Sequence, residues 1–277
     1  MVGSFIVALL IFLLWWTQVY QNPQRVFWSM INNNLVTDGF TRHVSNSSNN
    51  QYLDRYRQFN FGRTSSVRII MNVNVAGIPA TIEKVSSPNV DLFRYQSISA
   101  PAGKDQANAS YKAVLGKWFN VSPTISSTNL NTYGQSLVDF LPFGKLTNQQ
   151  RATLTTFMKE NNVYTVDYSK VKTMKQDGRT VFVFPVTVRP IVYVALMQKF
   201  GTMMGVSIFG GVDPNTYANS PNISLNISVD AISHNLTQIT ESALSEKYES
   251  FGAHTQIAIP HPTITAAEIQ ADLQSLK

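Results

Sequence analysis

The spacing of hydrophobic and polar positions divides this chain into an apolar leader and a longer, mixed body. Residues 2–20 carry no charge, and residues 5–16 are entirely apolar. Apolar residues then recur at helical spacing up to position 35, and from Phe40 onward most segments alternate with a period of two, which is typical of strands. The pattern predicts one apolar helix followed by a domain rich in β-structure.

The apolar leader has two interpretations. A helix needs about 20 apolar residues to span a bilayer, so the shorter core at residues 5–16 also suits a cleaved secretory signal. No small-residue cleavage site follows that core, and Trp15, Trp16 and Tyr20 carry rings that favour a membrane–water interface. We therefore expect residues 1–21 to be a retained transmembrane anchor, with a cleaved signal as the alternative. A buried core helix is disfavoured because the segment is apolar on all sides.

The body, residues 22–277, is expected to form one extracytoplasmic domain at the cell membrane. Charged residues make up only 14% of the chain, and small polar residues are abundant. Arg25 alone follows the leader closely, and by the positive-inside rule it would place the body in the cytoplasm, but one arginine is a weak signal. The net charge of +6 is dispersed without a basic run, which argues against nucleic acid as a partner.

The period of the pattern also locates the elements of the body. Thr147 and Gln150 form a capping box, Pro190 begins a very apolar helix, and Asp177-Gly178 predicts a hairpin. Five helices are expected, at residues 22–39, 133–141, 147–159 and 190–204 and from Thr265 onward. About nine strands are expected, at residues 51–61, 67–75, 78–85, 90–98, 163–175, 179–188, 222–230, 236–241 and 247–251, with a short closing segment at 257–259.

The order of these elements predicts the fold class. The helices come between two runs of strands and do not alternate with single strands, which indicates an α+β fold with an antiparallel sheet. A sheet of this size has to curl, and helices then cover only one of its faces. An apolar space between sheet and helices is the place where a ligand would fit.

Three stretches in the second half carry a more specific pattern. They are the hairpin and following helix at residues 163–201, the strand pair at 223–240 and the segment YESFGAHTQIAIPHP at 248–262. Together they resemble the LolA/LppX/LprG-like superfamily of envelope lipoprotein carriers and lipid-binding proteins, with weaker similarity at 67–98. The resemblance implies a strongly curved antiparallel half-barrel over helices and a hydrophobic ligand. The chain lacks the lipobox cysteine of many members, and its insertion at 122–159 has no counterpart.

The sequence offers little for catalysis. The G-x-S-x-G, H-E-x-x-H, P-loop and G-x-G-x-x-G motifs are missing, and the absence of cysteine excludes disulfides, cysteine-based zinc sites and thiol nucleophiles. The four histidines are widely spaced, and each is expected on the surface or in a turn: His43, His234, His254 and His261. We therefore expect neither an enzyme, nor a metal site, nor a cofactor.

Two hypotheses for function follow. In the first, the body binds a lipid or lipid-linked molecule in a cavity between the strand at 67–75 and the apolar helix at 190–204. The expected cavity wall consists of Val67, Ile69, Met71, Val73, Val192, Leu196, Phe200 and Met203. Flexible methionine and phenylalanine side chains suit acyl chains, although the same residues also suit plain core packing. In the second hypothesis, the body is an envelope protein-interaction module with a filled core and no ligand.

Overall fold

The structure is a computed structural model. It describes residues 5–9, 12, 20–48, 51–75, 78–99, 114–120, 131–242, 244–253, 256–265, 267–268 and 271. Within these residues, twelve strands form a single curved antiparallel sheet, and a few helices accompany it. The α+β class and the antiparallel sheet expected from the sequence are therefore confirmed.

The helices begin at the caps that the sequence encodes. The side chain of Asn22 accepts a hydrogen bond from the backbone N–H of Arg25, and Pro23 occupies the first turn. Thr147 and Gln150 form a reciprocal capping box. The four helices are α1 (Pro23–Val36), α2 (Thr132–Leu137), α3 (Asn148–Glu160) and α4 (Pro190–Met203).

The strands fall into an N-terminal and a C-terminal run. The first run is β1 (Gly39–Ser48), β2 (Gln51–Asn60), β3 (Ser66–Val75), β4 (Ile78–Ser87), β5 (Val90–Ile98) and β6 (Phe119–Asn120). The second run is β7 (Tyr164–Val166), β8 (Lys172–Gln176), β9 (Arg179–Val188), β10 (Ile223–Asp230), β11 (Leu236–Glu241) and β12 (Leu244–Glu249).

One long-range pairing joins the two runs. The strand order is β6-β5-β4-β3-β2-β1-β12-β11-β10-β9-β7, and β8 also pairs with β9. The first strand of the domain thus pairs with the last, with Thr41 opposite Glu249 and Ser45 opposite Ser245. We call this β1–β12 junction the seam.

The helices pack on one face of the sheet, which we call the inner face. It carries Phe40, Phe59, Val67, Phe184 and Ile227, and these side chains form one buried cluster with the buried residues of α1 and α4. Strand β10 shows the alternation clearly, because its buried apolar residues point inward while Ser224 and Asn226 on the opposite, outer face are exposed. Helix burial and strand alternation therefore build one shared core.

On the outer face of β3–β5, charged hydrogen bonds link the three strands. Glu83 accepts hydrogen bonds from Arg68 (2.6 Å), Arg94 (2.7 Å) and Gln96 (2.7 Å). The guanidinium of Arg94 also lies 4.6 Å from the ring of Trp118. Burial opposes ionisation of Glu83, but these hydrogen bonds outweigh it and hold the pKa of Glu83 below its usual value.

Several expectations for the elements were wrong. Residues 256–263 form no strand, and the expected strand at 163–175 is interrupted by the short helical turn Tyr168–Lys170, which Asp167 caps. Strands β1 and β6 were not expected, whereas β7 and β8 are the two parts of the strand expected at 163–175. Gly39 does not end α1 in left-handed geometry. It begins β1 instead, where any Cβ atom would collide with the carbonyl oxygen of Phe59.

The expected anchor, residues 1–21, lies largely outside the described residues. Within the described residues, no helix is long and apolar enough to cross a membrane. The anchor therefore stays a prediction. The expected C-terminal helix is described only at its start, where Thr265 and Glu268 form the capping hydrogen bonds.

The inward direction of β10 can be tested by two substitutions to aspartate. Leu225 is 3% exposed, so Leu225→Asp should reduce the free energy of unfolding by about 4 kcal/mol or more through lost burial and an unpaired buried charge. Asn226→Asp, on the exposed face, should change it by no more than about 0.5 kcal/mol. Urea denaturation measures both. Equal effects would contradict the assigned faces.

The Glu83 cluster predicts a pH dependence of stability. Because the pKa of Glu83 in the folded protein lies below its ordinary value of 4.5, ionised Glu83 stabilises the fold above that value. The stabilisation is lost as the pH falls from 4.5 through the lower pKa that Glu83 has in the folded protein. In thermal unfolding, the melting temperature of the wild type should thus exceed that of Glu83→Gln at neutral pH, and this difference should shrink toward zero in acid. A difference that stays constant down to the acid limit would contradict the prediction.

Candidate functional site

A buried ionic cluster lies on the inner face at the seam. Arg42 of β1 stands opposite Tyr248 of β12, and its Nη1 atom forms an ion pair with Oδ2 of Asp139, just after α2. Oε2 of Glu246 lies 3.7 Å from the same nitrogen. All of these side chains are buried. The sheet therefore places one cation and two carboxylates inside the core.

Tyrosine hydroxyls complete the cluster. The hydroxyl of Tyr248 lies 3.0 Å from Oδ2 of Asp139 and 2.8 Å from Oε2 of Glu246. The hydroxyl of Tyr193 in α4 donates to the backbone carbonyl of Asp139, and that of Tyr164 in β7 donates to the next carbonyl along the chain, at 2.9 Å. Strands from both runs and helix α4 thus meet at the segment that follows α2.

Burial and neighbouring charges set the pKa values in this cluster. Burial alone would lower the pKa of Arg42, but the charge of Asp139, with Tyr248 and Glu246, raises it above its ordinary value. Burial raises the pKa of Glu246, and the charge of Asp139 adds to this, although Arg42 opposes both. Arg42 therefore stays charged, while folding makes Glu246 easier to protonate.

Two more arginines extend the cluster along β2. Arg57 stands directly opposite Arg42, and Arg55 stands opposite Val44, so all three arginines belong to the inner face. Arg55 and Arg57 are half-buried, and their buried Nε atoms have no hydrogen-bond partner within the described chain. Burial lowers the pKa of Arg55, and the nearby charge of Arg42 lowers it further. We call Arg42, Arg55 and Arg57 the arginine triplet.

Strand β3 places an apolar strip beside the triplet. Ile69 stands opposite Arg57 and Met71 opposite Arg55. Val67 and Ile69 are fully buried, whereas Met71 and Val73 are half-buried. The four residues predicted on β3 therefore share one face, as strict alternation requires, and this face is the one on which the helices pack.

The four residues predicted on α4 belong to the same core cluster. Leu196 and Phe200 are fully buried, and Val192 and Met203 are half-buried at the margin of the cluster. Helix α4 packs on α3 and on the turn Pro214–Tyr217. The core cluster thus brings β3 and α4 residues together through intermediate side chains, and Val73 alone of the eight is outside it.

Three concave regions are lined by described residues, and they lie mainly on the outer face of the second run. Their volumes are about 290, 610 and 560 Å³. Polar side chains of β8–β11 line most of them. The β8–β9 hairpin bends over this face, because Gln176 donates to Gln238 and Lys247 lies 3.0 Å from Asp177. None of the eight predicted wall residues lines these three regions.

The start of the domain is fixed to the β10–β11 turn. The hydroxyl of Tyr20 donates to the carbonyl of Ile232 at 2.5 Å, and the side chain of Gln21 donates to the carbonyl of Ala231 at 2.7 Å. The ring centroids of Tyr20 and His234 are 4.5 Å apart with the ring planes tilted by 34°, and His234 is buried in this turn with a φ of 54°. His234 was correctly expected in a turn, but it is not on the surface.

The residues of the ionic cluster were missed in the sequence, although a signal for them exists. Arg42 stands between Phe40 and Val44 at a spacing of two. Arg55 and Arg57 precede the buried Phe59 of β2 at the same spacing. Arginines that alternate in phase with core residues in a strand must point toward the core. This phase could have indicated the triplet, but Asp139 lies in an irregular segment whose position no periodicity predicts.

The ion pair of Arg42 can be tested by Asp139→Asn. The change keeps the side-chain shape but leaves a buried guanidinium without its main counter-charge, so the free energy of unfolding should fall by about 3–5 kcal/mol. Asp177→Asn is the matched control, because Asp177 pairs with Lys247 at the surface and should cost less than about 1 kcal/mol. Denaturant unfolding measures both. A small loss for Asp139→Asn would mean that Glu246 alone can balance Arg42.

Comparison with known proteins gives structural similarity but no matching family. No protein-family model matches the chain, and no curated protein matches it. Among solved structures, the crystal structure of LprF from Mycobacterium bovis is similar over 86% of this chain and 96% of that chain, with 10% sequence identity and a TM-score of 0.44. Values this low carry no function from one protein to the other, so membership of the LolA/LppX/LprG-like superfamily stays a prediction.

Proposed function

We propose that this chain is a non-catalytic, membrane-anchored domain that binds a hydrophobic ligand, a lipid or lipid-linked molecule, on the inner face of its sheet. The body, residues 22–277, lies on the extracytoplasmic side in this proposal. The observation that carries it is a difference in burial along the inner face. Most of this face is covered by helices, while Met71 and Val73 at the far end of β3 are only half-buried.

Each side of the proposed ligand wall, β3 and α4, combines two buried residues with two half-buried ones. On β3, Val67 and Ile69 are buried and provide a fixed floor, while Met71 and Val73 retain accessible surface. On α4, Leu196 and Phe200 are likewise buried. Val192 and Met203 remain half-buried there. When a ligand covers half-buried apolar side chains, the burial favours binding by about 25 cal/mol per Å² of apolar surface removed from water.

The N-terminal segment supports attachment to a membrane. Its described apolar side chains are strongly exposed, with Phe5 at 71%, Val7 at 55% and Ile6 at 50%. Exposed apolar residues in series mark an interaction with lipid or with another apolar surface. Because Tyr20 and Gln21 bond to the β10–β11 turn, a segment inserted in a bilayer would hold the body in a defined orientation at the membrane surface.

A protein-interaction module with a filled core is the second candidate. The observation that favours it is the burial of α4, where neither Leu196 nor Phe200 has measurable exposure. A wall that is already in contact with other core side chains needs no ligand to be stable. This candidate differs from the first in one measurable property, which is whether the purified protein carries a lipid.

Met71→Trp tests the proposal. The full chain, extracted in a mild detergent, should retain a copurifying lipid that native mass spectrometry detects. The larger ring at position 71 would occupy the ligand's place, so lipid occupancy should fall several-fold while the melting temperature changes little. Met174→Trp is the control, because Met174 is 51% exposed on β8, away from the proposed wall. It should leave both quantities unchanged.

The filled-core candidate predicts a different result. Inserting the same ring into a fully packed site would cost about 1–3 kcal/mol by overpacking. The melting temperature of Met71→Trp would then drop, and neither the wild type nor the variant would carry lipid. Repeated absence of lipid from the wild-type chain would refute the proposed function.

A further inference from the structure

The arginine triplet is not balanced by the carboxylates around it. Arg42 pairs with Asp139 and lies near Glu246, and the hydroxyl of Tyr248 lies within hydrogen-bonding distance of both carboxylates. Three arginines therefore share two carboxylates that are already bound to one of them. Like charges directly opposite each other in a sheet are destabilising, and Arg57 stands opposite Arg42.

The unpaired polar atoms point to a missing partner. The Nε atoms of Arg42, Arg55 and Arg57 are all buried, and within the described residues none has a hydrogen-bond partner. Buried donors without partners are rare in native proteins, because each costs free energy, and they commonly mark a bound water or ion. A group that brings acceptor oxygens and negative charge to the half-buried guanidinium groups of Arg55 and Arg57 would offset the charge excess.

We propose that Arg55 and Arg57 bind the anionic headgroup of the ligand, so that the ligand is an anionic amphiphile with a phosphate or carboxylate group. This inference rests on the proposed function and narrows it to one ligand class. A guanidinium presents a planar fork of N–H donors that matches the oxygens of phosphate or carboxylate. Arg42 is already paired with Asp139 at the seam, so Arg55 and Arg57 are the two members of the triplet without a salt bridge among the described residues.

The neighbouring strand fits the apolar part of such a ligand. Met71 stands directly opposite Arg55 and Ile69 opposite Arg57, one strand spacing away, which is about 4.8 Å. The half-buried Val73 continues the strip along β3. A headgroup on Arg55 and Arg57 would thus place the first part of its chain on β3. Lys84 stands opposite Ile69 on the far side of the strip and adds a further positive charge to the inner face.

The experiment compares three probes on the full chain in a neutral detergent. Dioctanoyl phosphatidic acid carries a headgroup and chains, dioctanoylglycerol carries the same chains without the charge, and inorganic phosphate carries the charge without chains. Retained ligand is counted by native mass spectrometry, and phosphate binding is measured by calorimetry. We expect the wild type to prefer phosphatidic acid over dioctanoylglycerol by about tenfold or more, as one charge-assisted hydrogen bond alone would give.

The double variant Arg55→Gln with Arg57→Gln should lose this preference and bind dioctanoylglycerol as the wild type does. Its melting temperature without ligand should not fall, because it removes uncompensated positive charge. The control is Arg63→Gln with Arg189→Gln, which removes the same charge from two exposed arginines and should keep the preference.

Three results would overturn the inference. Equal binding of both amphiphiles, unchanged in the double variant, would refute the headgroup site but leave the proposed function intact. Binding of inorganic phosphate as tight as that of phosphatidic acid would make this an anion site with no role for the apolar strip. Binding of no probe at all would refute the proposed function itself, together with the inference that rests on it.

Discussion

The pairing of β1 with β12 is the constraint on which the rest of the structure depends. Each run pairs strands that are neighbours in the chain order, with α4 inserted between β9 and β10, but only the seam makes one sheet of the two runs. The residues that pair there are separated by some two hundred positions in the chain, so closing the seam costs considerable chain entropy. The inner-face core, the position of α4 and the arginine triplet all follow from this closure.

The ionic cluster marks the seam in a way that apolar residues would not. Arg42 comes from the first strand, Tyr248 and Glu246 from the last, and Asp139 from the segment between the runs. A buried ion pair adds little net stability, since desolvation offsets the attraction. It does penalise wrong registers heavily, because a shift of one residue would send Arg42 to the outer face and leave Asp139 unpaired in the core. We infer that the cluster mainly selects the register.

The sequence predicted what short-range physics determines. The capping box at Thr147, the hairpin at Asp177-Gly178 and the alternation of β10 depend on residues within one element, and all three are present. The α+β class followed from the order of such elements. The seam and the position of Asp139 depend on contacts between distant segments, and no local pattern encodes them. Gly39 shows the same limit, since its role comes from the approach of β2 and not from the helix it follows.

The arginine triplet is the place where the sequence departs most from what stability alone favours. Apolar residues at positions 55 and 57 would continue the strip of β3, remove the repulsion from Arg42 and leave no unpaired donors. Natural proteins depart from such rules mainly at functional sites, where stability is given up for binding. The predicted wall consists of apolar residues, which core packing also explains, whereas the charged residues beside it are harder to explain by folding. A site for an amphiphile needs both kinds of surface in contact, and β2 and β3 place them on adjacent strands of the inner face.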